Sequence, residues 1–246
     1  MHERNVDIAT SDGHMDTFIV HPDGAGPYPV VILYMDAPGI REELYDFARR
    51  VGTVGYFCLV PDLYYREGRI RLDVSQLNDE MRQKLRAIWH NISNAMVLED
   101  TRGMLRFLEA QPAAAGGPLG CIGYCMSGQY VLSAAGTFPE RFRATATLHG
   151  VRHVTDKPDS PHLLAAKFQG ELYAGFAEHD DAVPQSEVDA LAETLESCPV
   201  RHQVEVHPGT RHGYSFPERA AFDKPAAERN WERIFAMFHR QIPARA

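Results

Sequence analysis

Two stretches in which apolar and polar residues alternate open the chain, and the turn sequence Ser11-Asp12-Gly13 separates them. Strict alternation places every second side chain on the same face of a β-strand. An Asp-Gly pair between two such stretches is a strong signal for a tight turn. Residues 6–20 are therefore predicted to form a β-hairpin.

Short strand-like segments and helically spaced segments then alternate along the rest of the chain. A continuous apolar run, such as residues 29–35, is typical of a strand buried on both faces of a sheet. Strands are predicted at residues 29–35, 56–60, 118–123, 144–148, 171–176 and 203–206. Helices are predicted at residues 42–51, 74–89, 98–108, 126–135, 186–195 and 226–239.

This alternation of strands and helices defines the fold class. Strands joined through helices form parallel sheets with right-handed crossovers, so we predict an α/β fold with a mainly parallel, doubly wound sheet. The N-terminal hairpin would add antiparallel strands at one edge. No linker, repeat or low-complexity tract interrupts residues 1–246, which predicts a single domain. The connection at residues 63–95 is too short for a large lid domain and predicts a small, open pocket.

Composition narrows the class of protein further. A chain of 246 residues with 44% hydrophobic and 24% charged residues is typical of a globular enzyme-sized domain. The net charge of −8, without a long run of one sign, argues against a nucleic-acid surface. No stretch of ~18 apolar residues predicts a membrane span, and the N-terminus lacks an apolar signal core. We predict a cytoplasmic protein without nucleic-acid or membrane partners.

The four cysteines, Cys58, Cys121, Cys125 and Cys198, do not suggest a disulfide framework, since a cytosolic domain with a sufficient core rarely needs one. Cys58 and Cys121 lie in strand-like segments and are predicted to be small buried residues. The sequence has no H-E-x-x-H and no paired C-x-x-C, so no metal site is predicted. Phosphate-binding glycine loops are also missing, so no cofactor is predicted.

The most informative segment is Gly-Tyr-Cys-Met-Ser-Gly at residues 123–128, directly after a predicted strand. A sharp strand-to-helix turn between small residues exposes its central side chain as a nucleophile, here the thiol of Cys125. The next backbone N–H, that of Met126, lies at a helix N-terminus, where it can stabilise an oxyanion. Ser127 is an alternative nucleophile, but it requires a turn shifted by two residues that places Gln129 where a small residue is needed.

A thiol nucleophile needs a base, and a third group must orient that base. Loops at the carboxyl ends of parallel strands supply such groups. Residues 177–184 offer Asp180, with Asp181 as an alternative. Residues 207–214 offer His212 in the loop beyond a Pro-Gly turn. The order Cys125, Asp180, His212 is the nucleophile–acid–histidine order of the α/β-hydrolases.

Four other histidines compete for the role of the base. His207 precedes the Pro-Gly turn and is predicted to end its strand. The remaining three, His149, His153 and His179, are plausible neighbours of the pocket. We interpret these three as hydrogen-bonded polar residues rather than as the base.

With these motifs the chain resembles the dienelactone hydrolase family, also called carboxymethylenebutenolidases, over nearly its full length. The resemblance implies an α/β-hydrolase fold and a triad made of Cys125, His212 and Asp180. It also implies an oxyanion hole formed by the backbone N–H groups of Ala37 and Met126. The matching segments are residues 34–40, 61–65, 123–128, 180–184 and 212–214.

The same resemblance implies roles for residues outside the triad. Asp36 stands where the family has a glutamate that controls the protonation of the thiol. The side chains of Arg82, Trp89 and Tyr124 are implied to contact the substrate. One departure concerns an arginine that the family has four residues after the catalytic histidine: that position holds Phe216 here, and the nearest arginine is Arg219.

These observations predict a hydrolase of small lactones or activated carboxylic esters that works through an acyl-enzyme. Its partner would be a small-molecule lactone or ester, and the protein would be a monomer or a homodimer. The alternatives are a non-hydrolytic family member that binds a ligand or reacts through its thiol, and a thioesterase or amidase.

Overall fold

The computed structural model describes residues 1–76 and 78–244, and the chain divides into two compact units. The first comprises Met1–Gly117 together with Ala244, and the second comprises Pro118–Pro243. Both units combine neighbouring strands with packed helices. The expectation of a single domain stays a prediction.

The strands of the first unit lie side by side in the order β1-β2-β4-β3. The β1–β2 pair is an antiparallel hairpin in which Thr10 opposes Gly13, whose φ of +137° is readily adopted only by glycine. β4 pairs antiparallel with β2 and parallel with β3, which confirms the predicted hairpin and the two strands after it. The bounds are β1 (His2–Thr10), β2 (Gly13–His21), β3 (Tyr28–Tyr34) and β4 (Phe57–Pro61).

The helices of the first unit are α1 (Glu42–Thr53), α2 (Asp79–Asn91) and α3 (Asn94–Glu109). In α1 the helically spaced apolar residues form the buried face that packs on β2 and β4. α3 begins four residues before its predicted start because the Ser93 side chain accepts a hydrogen bond from the Met96 N–H and caps the helix there.

The predicted helix at residues 74–89 is two helices in the structure. A short 3₁₀ helix occupies Val74–Gln76, and α2 follows, with Asn78 as its N-cap. The Asn78 side chain accepts a hydrogen bond from the Met81 N–H at 2.9 Å, which fixes the start of α2. The intervening Leu77 lies outside the described residues.

The strands of the second unit are all parallel and follow the order β5-β6-β7-β8. Parallel neighbours bring their carboxyl ends to one edge of the sheet, so the residues that follow these strands are brought close together. The bounds are β5 (Ala114–Tyr124), β6 (Phe142–Leu148), β7 (Glu171–His179) and β8 (Arg201–Arg211).

The helices of the second unit are α4 (Gly128–Thr137), α5 (Gln185–Glu196) and α6 (Lys224–Gln241). α4 is buried from residue 128 to 136, whereas α6 buries one face against β6 and β7. The side chain of Asp223 caps α6 by accepting a hydrogen bond from the Ala226 N–H at 2.9 Å. The predicted alternation of strands and helices is therefore confirmed in this unit.

The last strand extends beyond its predicted end. The Pro-Gly turn signal placed the end near Val206, but β8 continues to Arg211. The physical reason is a β-bulge, after which His179 of β7 pairs with Arg211. As a result His212 directly follows the strand, at the carboxyl edge of the sheet. Among the described residues, no helix has the length and apolar character that crossing a membrane requires.

Candidate active site

Cys125 lies at a sharp bend between β5 and α4. Its φ is +51°, which is unfavourable for a residue with a Cβ atom. The preceding Tyr124 is extended, and Gly128 already has helical backbone angles, so the chain reverses direction around Cys125. The thiol is partly exposed, whereas Ser127 is fully buried. Of these two nucleophile candidates, the structure therefore exposes Cys125 and buries Ser127.

Glycines allow this bend to pack closely. A Cβ atom at Gly123 would lie 2.7 Å from the Ser127 carbonyl oxygen, and one at Gly128 would lie 2.6 Å from the Cα of Gly150. Both distances are too short for any side chain, and both involve backbone atoms that cannot swing aside. The small residues of the sequence motif are therefore needed for packing, which is what keeps Cys125 in its bent conformation.

The segment after β6 supports the same bend from the other side. The backbone N–H of Val151 donates a hydrogen bond to the Cys125 carbonyl oxygen at 3.0 Å. His153 anchors this segment. Its ring Nε2 forms a hydrogen bond with Thr147 Oγ1 at 2.9 Å, and its backbone N–H donates one to the Glu187 carboxylate at 2.7 Å. This matches the interpretation of His153 as a hydrogen-bonded polar residue.

Asp180 and His212 are in direct contact. Asp180 Oδ2 lies 2.7 Å from His212 Nδ1, and the aspartate side chain is only 1% exposed. The other oxygen of Asp180 accepts a hydrogen bond from the Ala182 N–H at 2.9 Å, which fixes the carboxylate. The alternative acid, Asp181, is exposed. Neighbouring parallel strands β7 and β8 thus bring together two residues that are far apart in the sequence.

His212 also interacts with Cys125. Burial of the imidazole lowers the pKa of His212, but hydrogen bonds to Asp180 and Cys125 and the attraction of both groups outweigh burial and raise this pKa to about 10. His212 is therefore protonated at neutral pH, with Asp180 at its Nδ1 atom. The His212 imidazole therefore lies between a carboxylate and a thiol, which is the arrangement in which a histidine can exchange a proton with a cysteine.

His149 is the second histidine of this region, and our interpretation of it as a hydrogen-bonded residue is wrong. Its side chain is fully buried, and neither ring nitrogen has a hydrogen-bond partner among the described residues. Its ring instead packs edge-on against His212, with centroids 4.9 Å apart and planes at 67°. Burial first, and then the charges of His212 and Arg219, hold the pKa of His149 well below its ordinary value.

The other two histidines lie elsewhere. His207 lies within β8, and its Nε2 is 2.8 Å from the Asn230 side-chain oxygen. His179 is the last residue of β7, and its side chain is 57% exposed, 3.4 Å from Glu178. Neither occupies the position of His212 beside Asp180.

Tyr124, Phe216 and Arg219 complete the surroundings of His149. The rings of Tyr124 and Phe216 are fully buried and 5.1 Å apart. Arg219 lies over the Phe216 ring at 4.3 Å, and its guanidinium would meet a Cβ atom at Gly213. Arg219 thus lies beside Gly213, the residue that follows His212, although it comes seven positions after the histidine in the sequence.

In the first unit, Asp36 is fully buried and both of its carboxylate oxygens accept hydrogen bonds from Arg41, at 2.5 and 3.2 Å. Arg41 also pairs with Glu43 at 2.7 Å. Sequence reasoning missed Arg41, although an arginine five residues after a buried acid was a usable signal. The carbonyl oxygen of Ala37 accepts a hydrogen bond from the Tyr64 hydroxyl at 2.6 Å.

The predicted substrate contacts of the first unit lie on α2. Arg82 is exposed and Trp89 is half-buried against His90, with ring centroids 4.9 Å apart. Seven residues on a helix span about two turns, so Arg82 and Trp89 share a face. The functional roles of these residues, and of Asp36 and Ala37, stay predictions.

The fold and these residues can now be compared with known proteins. The parallel strands of the second unit and the bend after β5 are typical of an α/β-hydrolase. Residues 15–242 match the model of the dienelactone hydrolase family, and the chain belongs to that family. The resemblance inferred from the motifs is therefore confirmed, and the protein is a member of a family of hydrolases.

Relatives cover nearly the whole chain. A Synechocystis protein named "Putative carboxymethylenebutenolidase" is 26% identical over 92% of this chain and 91% of its own. An Escherichia coli protein of the same name is 25% identical over 94% of this chain and 84% of its own. The crystal structure of a Klebsiella pneumoniae protein named "Putative Dienelactone Hydrolase" superposes with a TM-score of 0.86 at 22% identity, covering 97% of this chain and 98% of that one. These likenesses confirm the predicted α/β-hydrolase fold.

Because α4 packs closely on the segment after β6, adding one methyl group at Gly128 should destabilise the fold. Gly128→Ala should lower the free energy of unfolding by about 1–3 kcal/mol, because its Cβ would overlap backbone atoms of Gly150. Gly116→Ala is the matched control, since a Cβ there meets nothing within 4 Å. Urea unfolding of both variants measures the difference. Equal stability of the two variants would show that the bend tolerates a side chain.

The neutral state of buried His149 predicts a specific pH dependence of stability. Since its folded-state pKa lies below the unfolded value of about 6.5, its contribution is complete above that pH and is lost as the pH falls. Each pH unit below about 6.5 should cost up to ~1.4 kcal/mol, and His149→Phe should remove this loss. Urea unfolding at about pH 7.5 and pH 5.5 tests it. The exposed His179→Gln should retain the wild-type dependence, and an identical dependence in His149→Phe would contradict the assignment.

Proposed function

We propose that this protein hydrolyses small lactones or activated carboxylic esters through an acyl-enzyme on Cys125. One observation carries the proposal: His212 lies 2.7 Å from Asp180 and interacts with Cys125, at the strained turn of a chain that belongs to a hydrolase family. Such an arrangement of nucleophile, base and orienting acid is the general requirement for nucleophilic catalysis at a carbonyl group.

In the first step the Cys125 thiolate attacks the carbonyl carbon. A C–S bond forms, and the carbonyl electron pair moves onto the oxygen. The backbone N–H of Met126 follows the nucleophile at the start of the helical turn, where it can donate a hydrogen bond to this oxyanion. The bend at Cys125 supports this step because it leaves this residue partly exposed and begins a helical turn directly at the nucleophile.

In the second step the bond between the carbonyl carbon and the leaving oxygen breaks. The His212 imidazolium gives its proton to the departing alkoxide and becomes neutral. Asp180 keeps His212 in the correct orientation through the 2.7 Å contact at Nδ1. For a lactone the alcohol stays attached to the acyl group, so hydrolysis must be faster than ring closure.

In the third step the neutral His212 takes a proton from water, and the resulting hydroxide attacks the thioester carbon. The C–S bond breaks, the product leaves as a carboxylic acid, and the thiolate and imidazolium are both restored. All protons are accounted for by the water molecule and the product acid. The same steps apply to thioesters and amides, so a substrate panel decides among these acyl groups.

Substitution of the nucleophile tests the proposal directly. Cys125→Ala should lower kcat/KM for an activated aryl ester by on the order of 10³-fold or more, because no covalent intermediate can form. Steady-state product release measures this loss. Cys198→Ala is the control, since that thiol lies two residues beyond the end of α5 and should be dispensable. Undiminished turnover in Cys125→Ala, or a wild-type burst without further turnover, would contradict a hydrolase acting through this thiol.

The raised pKa of His212 predicts the alkaline limit of activity. Since His212 carries its proton up to a pKa of about 10, kcat/KM should fall as the pH rises through that value. Asp180→Asn removes a group that raises this pKa, so the limit should move to lower pH. Asp181→Asn is the matched control, because Asp181 is exposed, and should keep the wild-type limit. A shared limit in both variants would show that Asp180 does not set the protonation of His212.

A further inference from the structure

His149 contacts the catalytic region through its ring rather than through hydrogen bonds. Its side chain is fully buried, and both ring nitrogens lack a hydrogen-bond partner within the described part of the chain. Leaving a buried polar group without a partner is costly, so such a group calls for an explanation. Its ring lies 4.9 Å from that of His212, centroid to centroid. Among the described residues, His149 therefore contacts His212 through its ring and not through a hydrogen bond.

The backbone of His149 fixes the direction of that ring. His149 has a φ of +37°, and its N–H donates a hydrogen bond to the Gly175 carbonyl oxygen at 2.7 Å. Two residues later, the Val151 N–H bonds the Cys125 carbonyl oxygen. One short segment therefore contacts the strand that leads to Asp180, the nucleophile and the His212 ring.

Aromatic neighbours hold the His149 ring from its other sides. The Tyr214 ring meets it edge-on at 5.4 Å, Phe216 lies at 5.7 Å and Tyr124 at 6.0 Å. A ring enclosed in this way has little freedom to move. By contrast, the terminal torsion of a histidine such as His212 is soft, and its side chain is 25% exposed. A packed neighbouring ring can therefore restrict the rotation of the His212 side chain.

We propose that His149 is a positioning residue, whose ring holds the His212 imidazole in the orientation that joins Asp180 to Cys125. The inference rests on the proposed thiol chemistry of Cys125. Because the contact between the two rings depends on shape, a ring without nitrogen atoms at position 149 should hold His212 equally well. Because the neighbouring His212 is a cation, the ring must also remain uncharged, and its complete burial ensures this.

Three variants test this role. His149→Asn removes the ring but keeps a residue that tolerates a positive φ, so the backbone need not change. His149→Phe keeps a ring of similar shape without nitrogen atoms. His207→Asn is the control, since His207 is another buried histidine that contacts Tyr214, with ring centroids 5.1 Å apart, but lies within β8.

The main readout is the rate at which iodoacetamide alkylates Cys125 at about pH 7, measured by mass spectrometry. His149→Asn should lower this rate on the order of 10-fold to 100-fold, as expected for a misplaced catalytic group, and His149→Phe should restore most of it. The far-downfield proton NMR signal of the His212–Asp180 hydrogen bond should weaken in His149→Asn and return in His149→Phe. His207→Asn should lower stability without changing either signal.

The results separate the two proposals. A wild-type rate in His149→Asn would overturn the positioning role, and so would an equal loss in a His149→Phe variant whose urea unfolding matches that of the wild type. If Cys125 of the wild type reacts no faster than Cys198, no thiolate–imidazolium pair exists and both proposals fail. If Cys125 is reactive but no ester is turned over, the proposed hydrolysis fails while the alkylation rates still decide the role of His149. In an active enzyme, His149→Asn should lower kcat more than it changes KM.

Discussion

The positive φ of Cys125 is the constraint on which the rest of the site depends. A residue with a Cβ atom pays roughly 1–2 kcal/mol to adopt such a conformation, and it persists only where the surroundings require it. Here the surroundings are the close approach of Gly128 to Gly150 and the hydrogen bond from the Val151 N–H. The bend exposes the thiol at the carboxyl edge of four parallel strands. Two residues further along the chain, past the bend, Ser127 is fully buried.

The two neighbouring histidines illustrate how environment separates identical side chains into different charge states. His212 has a fixed carboxylate at one nitrogen and a thiol nearby, so it holds a proton well above neutral pH. His149 has no acidic partner and no solvent, so it stays uncharged. Pairs of titratable groups whose environments shift their pKa values in opposite directions are a signature of catalytic sites. The charged ring can exchange a proton, whereas the uncharged ring can only support it.

Much of this arrangement was predictable from sequence, because it follows from local patterns and chain order. The elbow motif around Cys125 and the residues after two later strands identified Asp180 and His212. The remainder depends on contacts between distant segments. The end of β8 was misplaced because a bulge lets pairing continue past the Pro-Gly turn. The uncharged state of the His149 ring could not be predicted from its neighbours in the sequence, because the rings that bury it belong to other segments of the chain.

Arg219 influences the charge state of His149, although it does not stand where the family has an arginine. Arg219 lies over Phe216 and acts on His149 together with His212. His149 is fully buried beside these two basic groups, and a third positive charge there is unfavourable because like charges at short range in a medium of low polarity repel strongly. Arginine is always protonated, and His212 is held as a cation by Asp180. The neutral state of His149 therefore has two causes: its burial, which is the larger, and the two cations beside it.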